Sequence, residues 1–364
     1  MSALRRIARL LPSRQREMVR SRIRGTQRSV RDFLLRRAVA NRFAAAAYYA
    51  FANHELLRES RAVAAGQLRY AADHKSGASS YFLLRRNIHR LEKGLIMRPR
   101  RPVFATDFID ETVATFDRAM TAAAGEWNSE LVWADDVLTD YFAVVDTADP
   151  KVAGAYARFV AVEKAMRAPA MEARSVPYAR DLSGPAPVAF DAFMALTRRR
   201  RSVRWYLDRP VPRDLVDRAL AAAGQAPSAC NRQPFMFRIF DDPARAAEVA
   251  AIPMGTRGFS QQLPAVAVVV GQLRAYPYER DRHVIYIDGS LAAMSFMLAL
   301  ETLGLSSVPI NWPDQEPHES RMRAALNLAE DERVVMLIGF GWPDPDGQVP
   351  YSTKRPVPEM RTYG

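Results

Sequence analysis

Two polar clusters within residues 198–234 carry side chains able to grip a phosphorylated small molecule. The first is the run RRSVR, which supplies Arg200, Arg201, Ser202 and Arg204. Guanidinium forks beside a hydroxyl suit a phosphate, through bidentate, charge-assisted hydrogen bonds. The second is APSACNRQP, with Pro227, Ser228, Asn231 and Gln233. Amide and hydroxyl groups on a proline-punctuated loop suit hydrogen bonding to a polyol or a heteroaromatic edge. One amphipathic helix must separate the clusters. Pro212 favours its first turn, Leu215, Ala219, Leu220 and Ala223 form its inward stripe, and Gly224 stops it.

The remaining chemistry-bearing residues are sparse. Cys230 is the single cysteine, so no internal disulfide forms and no cysteine-rich metal site exists. The five histidines (His54, His74, His89, His283 and His318) lack metal-ligand spacing, and no metal is expected. No nucleophile–base triad emerges, and there is no GxGxxG fingerprint for a resident dinucleotide.

The 364 residues suffice for two domains, and 49% hydrophobic with 25% charged residues is an ordinary globular composition. The net charge of +12 is lopsided. Residues 1–40 hold twelve arginines against Glu17 and Asp32, so ten of the twelve net charges sit there. Leu4, Ile7, Leu10 and Leu11 give this arm one apolar stripe. A solvated tail, a helix lying on anionic lipid, and contact with an acidic partner all fit it. No nucleic-acid-binding motif accompanies the charge. No apolar run of membrane-spanning length is expected, and arginines interrupt any candidate leader core. The expected location is cytoplasmic, with residues 1–40 able to touch the inner membrane face.

Four segments are expected: a basic arm (1–30), a helical N-terminal region (31–176), a Pro/Gly-rich linker (177–187) and an α+β domain (188–364). An Ala-rich helix is expected from Arg31 towards Tyr70. Tyr81, Leu84, Ile88, Leu91 and Leu95 step by three and four, which marks one buried helix face. Arg85, His89 and Glu92 share another face, read as a solvated ion-pair surface. Thr106 is the expected N-cap of a helix burying Ile109, Val113, Phe116 and Met120. Further helices are expected over 130–147, 151–166 and 188–197. In the last domain, strands are expected over 235–240, 266–270, 307–311 and 334–339, with a long apolar helix over 286–303. Such mixing predicts a small, mostly antiparallel sheet wrapped by helices.

The order RRSVR, PVP at a helix start, then APSACNRQP resembles the nitroreductase family of FMN-dependent oxidoreductases. The helix that carries Asp288 and Gly289, followed by GLSSVPINWP, is a third likeness, and IGFGWP followed by YSTKRPVPEM a fourth. The resemblance covers the C-terminal half alone. It implies FMN held by Arg200, Arg201, Ser202 and Arg204, with Lys354 and Arg355 joining at the phosphate. It also implies backbone at Pro309, Ile310 and Asn311 beside the flavin N5, and Pro227, Ser228, Asn231 and Gln233 reaching the same FMN from the other subunit of a homodimer. The implied chemistry is a flavoprotein oxidoreductase taking hydride from NAD(P)H, a visiting substrate, and passing it to an organic acceptor. Asn311 and Trp312 stand where many members have an acidic residue and Gly, and Trp312 is expected to narrow the space over the flavin. Four other readings stay open: reductive dehalogenation, dehydrogenation or flavin breakdown on the same fold, and a membrane-associated scaffold that uses the fold without turnover.

Overall fold

The computed structural model of the chain describes residues 13–76, 81–124, 126–162 and 174–364. Contacts divide it into two compact units, one reaching to Arg61 and the other comprising Ala62–Gly364.

In the first unit, α1 (Ser13–Val39) ends with Arg36 and Arg37 in its last turn, where cations favour the helix dipole. This helix runs across the expected 30/31 boundary. The stripe at Leu4, Ile7, Leu10 and Leu11 lies outside the described residues. The single helix expected from Arg31 to Tyr70 is instead broken. Asn41 is extended, and its Oδ1 caps α2 (Arg42–Ala47) by accepting from the Phe43 and Ala44 N–H groups. A π turn (Tyr48–Ala52) follows and ends at Asn53, again extended.

The second unit begins within α3 (Leu57–Ser76) and continues through α4 (Phe82–Leu95), α5 (Ile109–Ala122), α6 (Ser129–Val144) and α7 (Pro150–Ala161). The face expected on α4 is the buried one: Leu84, Ile88 and Leu91 enter a core shared with Ile109, Val113, Phe116 and Met120 of α5. Tyr81 and Leu95 pack at its rim. Thr106 does not cap α5; a turn carries the chain to Phe108, and no side chain caps that end. Asn128 and Asp149 do cap α6 and α7 by accepting backbone N–H bonds. The expected end of α7 at Met166 lies outside the described residues. Residues 177–187 carry no helix or strand.

The rest comprises α8 (Phe190–Arg199), α9 (Arg213–Gly224), β1 (Phe235–Phe240), α10 (Pro243–Ala250), β2 (Ala265–Gln272), α11 (Val284–Thr302), β3 (Ser306–Asn311), α12 (His318–Leu326) and β4 (Glu332–Gly341). The four strands form one antiparallel sheet in the order β1-β2-β4-β3, an α+β architecture. Strand β2 is buried through Gly271 because both faces are covered. Ala265, Ala267 and Val269 face α9 and α11 through one core. Val266, Val268 and Val270 enter another with Ala246 and Val249 of α10 and Met322 of α12. Neither α10 nor α12 was expected from the sequence. Both are short, and their apolar residues show only two turns of periodicity.

One expectation about membranes needs correction. Residues Glu279–Thr302 are long and apolar enough to cross a bilayer, with a mean hydropathy of 1.5. The run escaped notice because Asp288 and Glu301 interrupt it. Both acids are buried, and α11 packs against all four strands, so it is the central helix of this domain.

Phe82 joins the helical layer to the sheet domain, in a cluster with Ala62, Val63, Leu273, Tyr276 and Ile285. Gly66 of α3 lies so close that a Cβ there would stand 2.8 Å from the Leu273 Cβ and 2.9 Å from its carbonyl carbon. Gly66→Ala would gain helix propensity of about 0.5–1 kcal/mol and lose about 1–3 kcal/mol to overpacking. A net loss of stability in urea unfolding is expected. A gain would show that α3 does not seat on Leu273.

Candidate functional site

The first polar cluster is laid along the free edge of the sheet. Helix α8 ends in Arg198 and Arg199, and the Arg199 Nε donates to Glu301 Oε1 at 2.8 Å, fixing the helix end to α11. Beyond it the chain runs extended: Ser202 bridges Ser307 in parallel, and the Val203 N–H donates to the Ser307 carbonyl at 3.1 Å. Tyr206, buried, donates its hydroxyl to the Val203 carbonyl at 2.8 Å, and burial pushes its pKa up. Strand β3 can accept this neighbour because it is an edge, the one place where Pro309 costs no ladder bond. Side groups alternate along a strand, so the main chain of Pro309 and Asn311 faces the same open edge as the Ser307 carbonyl. Pro309 has no N–H, which leaves the Asn311 N–H as the donor there; the Ile310 main chain faces β4 and its side chain is buried.

Two groups at this edge lack partners among the described residues. The Nε and Nη1 atoms of Arg200 are buried without a hydrogen bond, as is the Ser307 hydroxyl. Arg204 donates to the Ser202 carbonyl at 3.2 Å and lies 5.5 Å from the centre of the Phe259 ring. Arg201 donates to the Tyr351 carbonyl at 3.0 Å, which draws the C-terminal tail to the cluster. Lys354 and Arg355 follow on that tail; both are exposed, and Arg355 pairs locally with Glu359.

The second cluster is a strained loop. Cys230, Asn231 and Gln233 have φ of 53°, 52° and 49°, the left-handed region that non-glycine residues seldom adopt. Side chains impose this shape. Asp288 of α11 is buried, and its Oδ2 accepts from the Ala229 N–H and the Tyr276 hydroxyl, both at 3.0 Å. Burial pushes this carboxyl above its usual pKa, while those two donors and the nearby Arg232 charge oppose the rise. The Ser228 Oγ accepts from the Gln233 N–H at 3.0 Å, closing the loop on itself. From outside, Arg85 of α4 donates its Nε to the Asn231 carbonyl at 2.8 Å and pairs with Glu130.

These contacts revise the reading of α4. Arg85 is not on a solvated surface; it is turned onto the loop. Glu92 takes the other partners of that face, accepting from Trp133 Nε1 at 2.9 Å and lying 3.3 Å from His89 Nδ1. Trp312 is likewise not over an open face. It is buried in the core beside Val308 and Ile310, and its indole N–H donates to Glu319.

Within one chain the structure brings together Arg200, Arg201, Ser202, Arg204, β3 and the tail. Pro227, Ser228, Asn231 and Gln233 are not with them, since their loop feeds β1 at the opposite edge. Ser307 is level with Ala265 of β2, and Phe235 with Gly271. The two edges are therefore about 14 Å apart across the sheet, and the clusters are offset by about 20 Å along it. Sequence reasoning missed Asp288, Arg232 and Ser307 as site residues. Asp288 alone offered a clue, being an acid inside an otherwise apolar helix.

Asp288→Ala should strand the Ala229 N–H and the Tyr276 hydroxyl and cost about 1–3 kcal/mol. Hydrogen exchange at Ala229 and its loop neighbours is expected to quicken more than exchange in β2. Equal change in both would show that Asp288 does not act through the loop.

Comparison with known proteins places the C-terminal half in a family. The family model described as "Nitroreductase family" matches residues 197–256 and 244–342. An NADH dehydrogenase/NAD(P)H nitroreductase of Archaeoglobus fulgidus is 33% identical over 152 residues, covering 40% of this chain and 81% of that protein. Iodotyrosine deiodinase 1 of Sus scrofa is 24% identical over 196 residues, 46% of this chain and 67% of that one. Among solved structures, a nitroreductase in complex with FMN from Desulfovibrio desulfuricans is 24% identical, with 47% of this chain and 95% of that chain covered and a TM-score of 0.40. Through its C-terminal half, the chain belongs to the nitroreductase family.

Proposed function

We propose that the chain is an FMN-dependent oxidoreductase that accepts hydride from NAD(P)H and reduces a small organic acceptor, working as a homodimer. The observation that carries this reading is that Nε and Nη1 of Arg200 are buried and, like the Ser307 hydroxyl, without a hydrogen bond among the described residues. Arginine stays charged at any working pH, so a buried guanidinium with free donors calls for an anion, and a phosphate fits its fork. Arg201, Ser202 and Arg204 would complete that anchor, with Lys354 and Arg355 brought near by the tail. The Asn311 N–H, on the free edge of β3, is the donor available to a ring nitrogen.

When bound, FMN supplies two-electron transfer between a nicotinamide and an acceptor. The chain's own part is to bind and orient: arginines neutralise the phosphate, and main-chain groups fix the ring edge. Pro227, Ser228, Asn231 and Gln233 lie too far from Arg200 to touch the same mononucleotide, so they would serve the site of a second copy. Exposed apolar surface supports such pairing. Ile287, Leu291 and Met294 form an exposed stripe on α11, and Val349, Tyr351, Val357, Met360 and Tyr363 are exposed along the tail. The deiodinase relatives favour a second reading, in which the acceptor is a carbon–halogen bond. The enzyme is read as cytoplasmic. Exposed Val30, Phe33 and Val39 among the arginines of α1 suit contact with an anionic membrane surface.

The purified protein is expected to be yellow, with absorption near ~450 nm that NADH or NADPH bleaches without oxygen. Arg200→Gln should weaken FMN binding by roughly tenfold or more. A protein that stays colourless after FMN is added back would sink the cofactor assignment. A monomer by native mass spectrometry that still turns over would sink the shared site.

A further inference from the structure

The strained loop itself carries a buried arginine, Arg232, with unused donors. The helical layer and the sheet domain enclose a partly open cavity of about 360 Å³, lined among others by Phe82, Arg85, Glu130, Arg232, Met236 and Arg274. Three of these are cations, and their bonding differs. Arg85 pairs with Glu130 and the Asn231 carbonyl. Arg274 donates to Asp331 at 2.6 Å and lies 3.2 Å from Glu332. Arg232 is only 6% exposed, yet its guanidinium makes no hydrogen bond among the described residues, and its Nε is buried unsatisfied. Its guanidinium carbon lies 4.8 Å from the centre of the Tyr276 ring, and its charge also acts on Tyr70. Asp288 feels the Arg232 charge, but its Oδ2 is committed to Ala229 and Tyr276 and makes no hydrogen bond to the guanidinium.

An unpaired lysine or carboxylate in such a place could shed its charge; arginine cannot. Leaving its donors empty is costly, and the cavity gives them a route to a ligand. Arg85, Arg232 and Arg274 equal Glu130, Asp331 and Glu332 in number, but those three carboxylates bond to Arg85 and Arg274 and leave the Arg232 fork without one. One open fork suits a monoanion, since a dianion would add a second negative charge beside Glu130. The apolar walls of Phe82 and Met236 suit an uncharged body attached to it.

We propose that this cavity binds a small organic carboxylate, gripped by the Arg232 guanidinium. Phe82 and Arg85 of α4 and Glu130 of α6 lie outside the region the family model matches, so the helical layer of this chain supplies part of the site. The inference does not rest on FMN binding.

The test is calorimetric titration of the full chain with benzoate, as purified and again after saturation with FMN, with phenyl phosphate in a parallel arm. Saturable benzoate binding is expected and is retained after FMN saturation, because Gln233, the lining residue also assigned to FMN, is not the group that grips the carboxylate. Arg232→Met should weaken it by roughly tenfold or more, while Arg200→Gln should leave it within about twofold. Removing an uncompensated buried charge should not lower the melting temperature without benzoate, which separates lost binding from lost folding. Arg232→Lys, keeping the charge without the fork, should also bind more weakly and serves if the Met variant fails to fold. The proposal is overturned by any of four results: no benzoate binding up to about 10 mM, full binding by both Arg232 variants, loss on FMN saturation or in Arg200→Gln, or Arg232-dependent binding of phenyl phosphate alone.

Discussion

The Asp288 carboxylate is the constraint on which the loop side of this structure depends. It is the one charged group on the sheet-facing side of α11 near the loop, and it would be costly there without partners. The Ala229 N–H and the Tyr276 hydroxyl satisfy it, and each bond to such a group is worth about 1.5–3 kcal/mol if the carboxyl is ionised. These bonds help offset three left-handed residues, each costing on the order of 1–3 kcal/mol. The loop's shape is thus dictated by a helix that follows it by more than fifty residues in the chain, aided by Arg85 from the helical layer.

The sheet explains why one chain carries two separated halves of a site. Strands β2 and β4 are sandwiched, leaving only the two edges to meet anything further. At the β3 edge, Pro309 removes one donor, and the extended run after α8 takes up the Ser307 carbonyl. That keeps the edge from pairing indefinitely with other strands and brings arginines to it. The β1 edge instead receives the loop. Nothing local can unite them, because every path between them crosses a packed sheet.

Much of this was legible in the residues. All four strands were placed within a few positions, because β2 and β4 are apolar runs between turn residues and β3 follows a glycine. The α4 and α5 faces followed from three-four spacing. The caps were less legible: Thr106 has the right side chain, but the chain reaches α5 through a turn that moves the helix start past it. The break at Asn41 was hidden because alanines on either side favour helix equally. The polar clusters were found by residue type, yet which main-chain groups stay open at β3 depends on the neighbour at 202–203, a contact across about a hundred residues.

The arginines show where sequence reading runs out. Arg200, Arg232, Arg274 and Arg333 are each wholly or partly buried and look alike in a basic chain. Arg333 has Asp314 at 2.8 Å and Glu319 at 3.0 Å, and Arg274 has Asp331 and Glu332, so these two are structural. Arg200 and Arg232 also have buried donors unused, and neither has a carboxylate partner among the described residues. Composition cannot tell the two kinds apart, because the difference lies in where carboxylates from distant segments happen to arrive. Since no proton can leave a guanidinium to relieve the cost, an empty fork inside the fold is stable only if packing elsewhere supports it or a ligand fills it. That asymmetry makes Arg200 and Arg232, one at each margin of the sheet, the places this chain offers to an anionic ligand.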